Sequence, residues 1–278
     1  MLRGPISAFQ RWQYRGGRPG WSARFSNRLG AIALAAEFGT EIHTHSSEQQ
    51  LEITEVLERF GRRPIHELHH RGLLDAGRCV IAHCVWLDDA ELDVLAETGT
   101  RVAHCPCSNM KLASGIGKVP EMRAAGVTVG LGCDSGANNN SLDMIREMKA
   151  ASLLHDVARL DARALTAEDV VEMATIDGAR CIGRDYDLGS LEAGKQADIV
   201  LVDLHKAHTM PVFDPVANLV YAAHGGDVDT VMVAGEVLVR GGEVLVADEE
   251  EILAAADKRG RAVLERAGVT VRPDWPVE

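Results

Sequence analysis

The feature that most constrains this chain is a rhythm running through its first two thirds. Short apolar segments alternate with segments of helical period, and each apolar segment ends on or near a residue able to bind a metal or move a proton. The apolar segments fall at 41–45, 79–84, 101–105 and 127–134. Helical patterns fall between them, over 51–60, from Pro64 onward, from an Asp88 cap to Gly99, and over 119–125. Strands that are apolar on both faces and separated by helices form parallel β/α units, because the helices must cover both sides of the sheet. Pro64 suits a first helical position, where its missing N–H is no loss. Asp88 can accept from the unpaired amides of a first turn.

The flanks read differently. Residues 1–25 are basic and Gly-rich, without a period of two or 3.6, and read as irregular and disordered. Order is expected from Ser26 or Asn27, either able to cap a helix that runs to Phe38 and ends at Gly39. After the fourth strand come a long helix over 142–157 and another over 166–181, the latter opened by a Thr166–Asp169 capping box. Beyond Gly183 the pattern changes. Segments 197–203 and 228–246 read as strands joined by Gly-containing turns, hence an antiparallel unit, and a last helix covers 249–267. The expected organisation is therefore 1–25 irregular, 26–182 a β/α unit, and 183–278 a β unit with a terminal helix.

Composition narrows the class. The 278 residues are 46% hydrophobic and 25% charged, as in ordinary globular domains, and only 4% aromatic, so the core must be aliphatic. A net charge of −12 disfavours nucleic acid and anionic membrane surfaces, since phosphates would be repelled. Six cysteines, Cys79, Cys84, Cys105, Cys107, Cys133 and Cys181, follow no disulfide framework and read as reduced thiols of a cytoplasmic protein. No apolar stretch is long enough to span a bilayer, and the N-terminus lacks the apolar run of a secretory signal.

Four ligand-capable residues lie at the predicted strand ends: His45, His83, His104 and Asp134. In a β/α barrel that rim is where active sites are assembled from several strands. Imidazole and carboxylate suit a borderline divalent metal. A single strand-end histidine is ordinarily structural; four in register point to a site. Glu48, three residues past His45, reads equally as a proton shuttle and as a first-turn glutamate favoured by the helix dipole. His43 and His45 could form an H-x-H pair on one side of a strand, or His43 could pack deeper. His66, His69 and His70 read as solvated helix surface, and Asn138–Asn140 as a loop and cap before the long helix.

From about residue 26 to 267 the chain resembles the amidohydrolase superfamily, in the branch of triazine hydrolases, methylthioadenosine/S-adenosylhomocysteine deaminases and 8-oxoguanine-type deaminases. The matching stretches are HTHSSEQ, RPIHEL, AHCVWLDDAEL, VAHCPCSNMKLASGI, VGLGCDSGANNNSLDMIREMKAASLL, MATIDGARCIG and GSLEAGKQADIVLVD. The resemblance implies an α/β fold comprising part of a (β/α)8 TIM-type barrel, about strands 5–8, plus the C-terminal part of a small β-sandwich.

It also implies roles. His45 corresponds to the strand-five metal ligand, and Asp134 to the strand-eight ligand and proton acceptor. His83 corresponds to the histidine that contacts the attacking water and the oxyanion, and Glu48 to the acid that protonates a ring nitrogen. Ser108, Asn109 and Asn138 match positions lining the substrate. The implied chemistry is hydrolytic deamination of an amino-substituted nitrogen heterocycle, of purine, pterin or triazine type, by a zinc-activated water; Fe2+ or Mn2+ is a less favoured metal. A dechlorinating triazine hydrolase is an alternative within the same branch. The implied partner is a small heterocyclic molecule, with a homo-oligomer left open. Family members of this type are longer and begin with a strand whose H-x-H pair supplies two further ligands. Nothing upstream of Arg28 matches that strand, so a truncated, catalytically impaired fragment is the competing expectation. The loop after Asp134 is also about one residue shorter than the usual pattern.

Overall fold

The computed structural model describes residues 28–75 and 79–271; the expected irregular segment 1–25 and the cap at Ser26 or Asn27 lie outside the described residues. The β/α rhythm appears as α1 (Arg28–Phe38), β1 (Ile42–Ser46), α2 (Gln50–Phe60), α3 (Pro64–His70), β2 (Cys79–His83), α4 (Asp89–Thr98) and β3 (Arg101–His104). It continues with α5 (Pro106–Lys111), α6 (Val119–Ala124), β4 (Val129–Leu131), α7 (Gly136–Asn139), α8 (Met144–Arg159), α9 (Ala167–Ala174) and α10 (Ile176–Cys181). Strands β1 to β4 form one sheet in chain order, and every neighbouring pair is parallel. Consecutive strands pair because each returning helix brings the chain back alongside the strand it left.

Local chemistry sets the element ends. Asp88 accepts from the Glu91 amide while the Glu91 carboxylate accepts from the Asp88 amide, a reciprocal capping box that starts α4. Gly99 stops the helix at φ 62°, a left-handed conformation that glycine adopts without Cβ strain. Pro64 occupies the start of α3 as its ring geometry favours. All five residues of β2 are buried, which explains its unbroken apolar run. Ile65, Ile81, Leu95, Met122, Leu165 and Met173 are fully enclosed between sheet and helices. Each such side chain contributes about 2 kcal/mol relative to exposure.

Three expectations need correction. The segment after β3 is not all loop: α5 forms there, opened by Pro106, and buries Ser108 and Asn109. The fourth strand does not reach Asp134. It ends at Leu131, and Asp134 follows after Gly132 and Cys133 with φ 58°. The helix expected over 166–181 is broken at Thr175, whose backbone lies at φ −121°, ψ −93°. Thr175 Oγ1 donates to the Val171 carbonyl at 2.6 Å, a local bond that competes with the helical ladder. The Thr166–Asp169 capping box at its start forms with both reciprocal bonds.

The described chain divides into two compact units, one running to Gln196 with Leu204–Gly225, the other comprising Ala197–Asp203 and the chain from Gly226. Segments 183–196 and 204–225 group with the parallel sheet, and α11 (Pro215–Tyr221) belongs there. The second unit is an antiparallel sheet of β5 (Ile199–Val202), β6 (Val228–Val233), β7 (Glu236–Arg240) and β8 (Glu243–Val244), in that order, followed by α12 (Glu249–Ala267). The β6–β7 hairpin turns on Ala234 and Gly235, both at positive φ, the geometry that matches strand twist. All six cysteines are free thiols. Among the described residues no helix is long and apolar enough to cross a membrane.

Candidate active site

The C-terminal ends of β1, β2 and β4 share a backbone property. Ser47, His83, Cys84 and Asp134 all have positive φ, at 56°, 76°, 48° and 58°. Each such residue with a Cβ costs about 1–2 kcal/mol, so the surrounding structure must hold it there. Ser47 shows how. Its N–H donates to Glu52 Oε1 at 2.9 Å, and its carbonyl accepts from Val85 at 3.0 Å and Trp86 at 2.9 Å, tying the turn after β1 to the turn after β2.

These turns bring the expected residues together. Parallel pairing sets Ser46 beside His83, so the residues flanking them converge. The His45 and His83 rings lie 5.2 Å apart, tilted by 37°. His83 is 2% exposed; its Nδ1 donates to Asn109 Oδ1 at 3.3 Å, and its Nε2 lies 3.9 Å from Glu48 Oε2. Glu48 is itself buried, and its Oε1 accepts from Ser114 Oγ at 3.4 Å. His43 and His45 stack at 6.1 Å on one exposed face of β1, so of the two readings of this pair the structure has both rings on the same side.

Asp134 accepts on Oδ2 from Ser108 Oγ at 2.5 Å and Asn138 Nδ2 at 3.0 Å, and on Oδ1 from the Ser135 amide at 2.6 Å. Burial pushes its carboxyl upward, but these donors and the nearby His83 outweigh that and hold it below the ordinary aspartate value. The group therefore stays ionised at neutral pH. Asn138 reaches it from α7, a single turn capped by the Ser135 side chain.

His104 does not join this rim. It is 1% exposed, and its Nε2 meets His155 Nε2 of α8 at 3.2 Å. Arg159 Nη1 donates to His155 Nδ1 at 3.1 Å, so in this chain His155 carries its proton on Nε2 and gives it to His104. The physical reason is strand alternation: on β3, Val102 and His104 are buried while Arg101 and Ala103 are less so. His66, His69 and His70 lie elsewhere, lining an open groove of about 580 Å3 with Arg62 and Arg63.

Sequence reasoning missed three residues that shape the rim. Glu52 takes the amides of Ser47 and Glu48. Ser114 joins Glu48 to Gln49, whose Nε2 donates to Ser114 Oγ at 2.6 Å. Glu147, 1% exposed on α8, accepts from the Cys107 amide at 3.2 Å and from Asn139 Nδ2 at 2.7 Å, binding α5 to the Asn138–Asn140 turn. A weak signal existed for Glu52 and Glu147: each is an acidic residue within a helix of otherwise core-facing spacing.

His45 and Asp134 offer donor types suited to a divalent cation, one imidazole and one carboxylate held in its charged form. Among the described residues no three ligand atoms at this rim gather closely enough to hold an ion unaided.

The amidohydrolase family model matches residues 18–238. A 5-methylthioadenosine/S-adenosylhomocysteine deaminase of Haloarcula marismortui is 46% identical over 237 residues, covering 85% of this chain and 54% of that protein. The crystal structure of an adenosine deaminase from Xanthomonas campestris with bound zinc superposes with a TM-score of 0.82 at 35% identity, covering 85% of this chain and 54% of that one. An atrazine chlorohydrolase from Arthrobacter aurescens, complexed with zinc, gives 0.77 at 30% identity, covering 82% and 50%. The chain thus spans about half the length of the relatives it matches, and its α/β architecture with a parallel sheet is that of TIM-barrel hydrolases. With the family model covering most of its length, the chain belongs to the amidohydrolase family.

Proposed function

We propose that this chain supplies the second half of a metal-dependent aminohydrolase site, acting in the hydrolytic deamination of an amino-substituted nitrogen heterocycle. In this reading β1–β4 are about strands 5–8 of a (β/α)8 barrel, and β5–β8 are the C-terminal part of a small sandwich. The observation that carries it is the convergence of Glu48 on His83, 3.9 Å apart, beside the His45 ring and with Asp134 held charged. An adenosine-type substrate is favoured, because the Haloarcula and Xanthomonas relatives are named as deaminases of adenosine compounds.

His45 and Asp134 would hold the metal, zinc before Fe2+ or Mn2+. A bound divalent cation would polarise water and lower its pKa toward neutrality. The chain's own residues do the rest. Asp134, kept ionised by three hydrogen-bond donors, takes the proton of the attacking water. Water oxygen bonds to the amine-bearing ring carbon. Glu48 gives a proton to the neighbouring ring nitrogen, with Ser114 Oγ donating to its carboxyl and its own amide held by Glu52. Asn109 holds His83 through Nδ1, leaving Nε2 to face the reacting centre and the charge that develops there. The carbon–nitrogen bond to the exocyclic amine then breaks, the amine leaves as ammonia with the proton held by Asp134, and the remaining hydroxyl proton passes to Glu48, restoring the acid and leaving the ring carbonyl. Ser108 and Asn138 align Asp134 and border the substrate.

A second reading has support in one observation: at this rim the described residues complete no three-ligand cluster, as an impaired fragment would show. The discriminating experiment fuses the preceding half of the Haloarcula deaminase to this chain and assays ammonia from 5-methylthioadenosine, S-adenosylhomocysteine and adenosine, and chloride from a chlorotriazine. Ammonia release abolished by Glu48→Gln supports the proposal. Chloride release alone supports the dechlorinating alternative, and a folded, zinc-loaded fusion that does neither supports the impaired fragment.

A further inference from the structure

We propose that Glu52 is the positioning residue of this site, holding Glu48 in place by clamping the two amides of the turn that presents it. The inference rests on reading Glu48 as the proton donor.

Glu52 lies on α2, one turn beyond Glu48, and is 2% exposed. A buried carboxylate needs compensating donors. Two backbone amides supply them at short range: Oε1 accepts from the Ser47 N–H and Oε2 from the Glu48 N–H, each at 2.9 Å. One rigid carboxylate thus spans consecutive peptide groups. Ser47 sits at φ 56°, a strained conformation that the turn would relax from if unrestrained. Relaxation would rotate the peptide carrying Glu48 and move its carboxyl away from His83.

The turn has other supports on its carbonyl side, the Ser46 carbonyl accepting from the Cys84 amide at 3.2 Å. The Ser47 carbonyl is held by Val85 and Trp86, which fixes one side of its peptide, while Glu52 fixes the N–H side of Ser47 and of Glu48. Burial pushes the Glu52 carboxyl up to about 7, while the Ser47 and Glu48 amides pull it the other way. A surface glutamate serving only the α2 dipole would be solvated. Glutamine at position 52 would keep one acceptor and turn an NH2 group toward the second amide, so one half of the clamp would become a repulsion.

The test is amide hydrogen exchange and imidazole NMR on the 278-residue chain, wild type and Glu52→Gln. In the wild type, the Ser47 and Glu48 amides should be protected to within about tenfold of the β2 amides. In the variant, both should exchange at least about tenfold faster and the His83 ring resonances should shift, while β3 amides and the His104 ring stay as they were. A general structural role would lower protection across the sheet and leave His83 no more affected than His104. Free exchange of the two amides in the wild type, uniform loss in the variant, or an unmoved His83 would overturn the proposal. If the variant does not fold, wild-type protection alone decides. None of these readings needs turnover, so failure of the deamination assay and failure of the clamp are separately visible.

Discussion

Replacing His155 by glutamine should make this protein's stability less sensitive to acid. His155 is fully buried, and burial followed by the Arg159 charge lowers its pKa to about 4 from an ordinary 6.5. The folded state therefore favours the neutral ring, while the unfolded chain takes up a proton below pH 6.5. The stabilisation is complete above about pH 6.5 and is lost as pH falls through 4. A 2.5-unit shift at about 1.4 kcal/mol per unit gives roughly 3 kcal/mol between pH 7.5 and 4. Glutamine can accept from Arg159 and donate to His104 Nε2, so it keeps both bonds without titrating. Glu52 runs the opposite way: its folded carboxyl sits at about 7, so its contribution is present below about 4.5 and lost as pH rises through 7. That contribution is common to both proteins and drops out of their difference. Urea unfolding at pH 7.5 and pH 4 should show a loss of stability about 3 kcal/mol smaller in the variant. Equal losses in the two proteins would refute the reasoning.

Three further outcomes follow from the same geometry. Gly115→Ala places a methyl group 2.8 Å from Trp86 Cζ2 at φ 128°, and should destabilise by about 2–4 kcal/mol, read as a drop in Tm. Asp88→Ala removes the side-chain half of the α4 capping box and should cost about 1 kcal/mol in denaturant unfolding. Ser108→Ala takes a hydroxyl donor from Asp134, so the Asp134 carboxyl should titrate nearer the ordinary aspartate value in carbon-detected NMR, with the sheet amides unchanged.

Much of the fold was legible because it rests on local signals. Apolar runs, Pro64, Asp88 and Gly99 each act within a few residues, and the first three strands and the helices between them appeared within about two residues of their expected places. What escaped depends on direction and on distant partners. Strand spacing put His104 in line with His83 and Asp134, but only the packing of β3 against α8 shows its ring turned to His155. Thr175 looked like any helical residue until its hydroxyl bonded back to Val171. Glu52 and Glu147 drew no reading, because sequence shows an acidic side chain but not the backbone amides that enclose it. Glu48 was evenly divided between helix dipole and chemistry, and its burial and its approach to His83 were not readable from spacing. The unusual backbone of Ser47 and Cys84 has no sequence signature, while His83 and Asp134 are of types enriched at positive φ but too common elsewhere to mark it.

The most direct measurement is ammonia release from 5-methylthioadenosine by the fused, zinc-loaded protein, compared between the native sequence and the Asp134→Asn variant. The proposed site predicts turnover with the aspartate and a loss of at least about 1000-fold with the amide, which cannot take the water's proton. Equal turnover by the two proteins would contradict it.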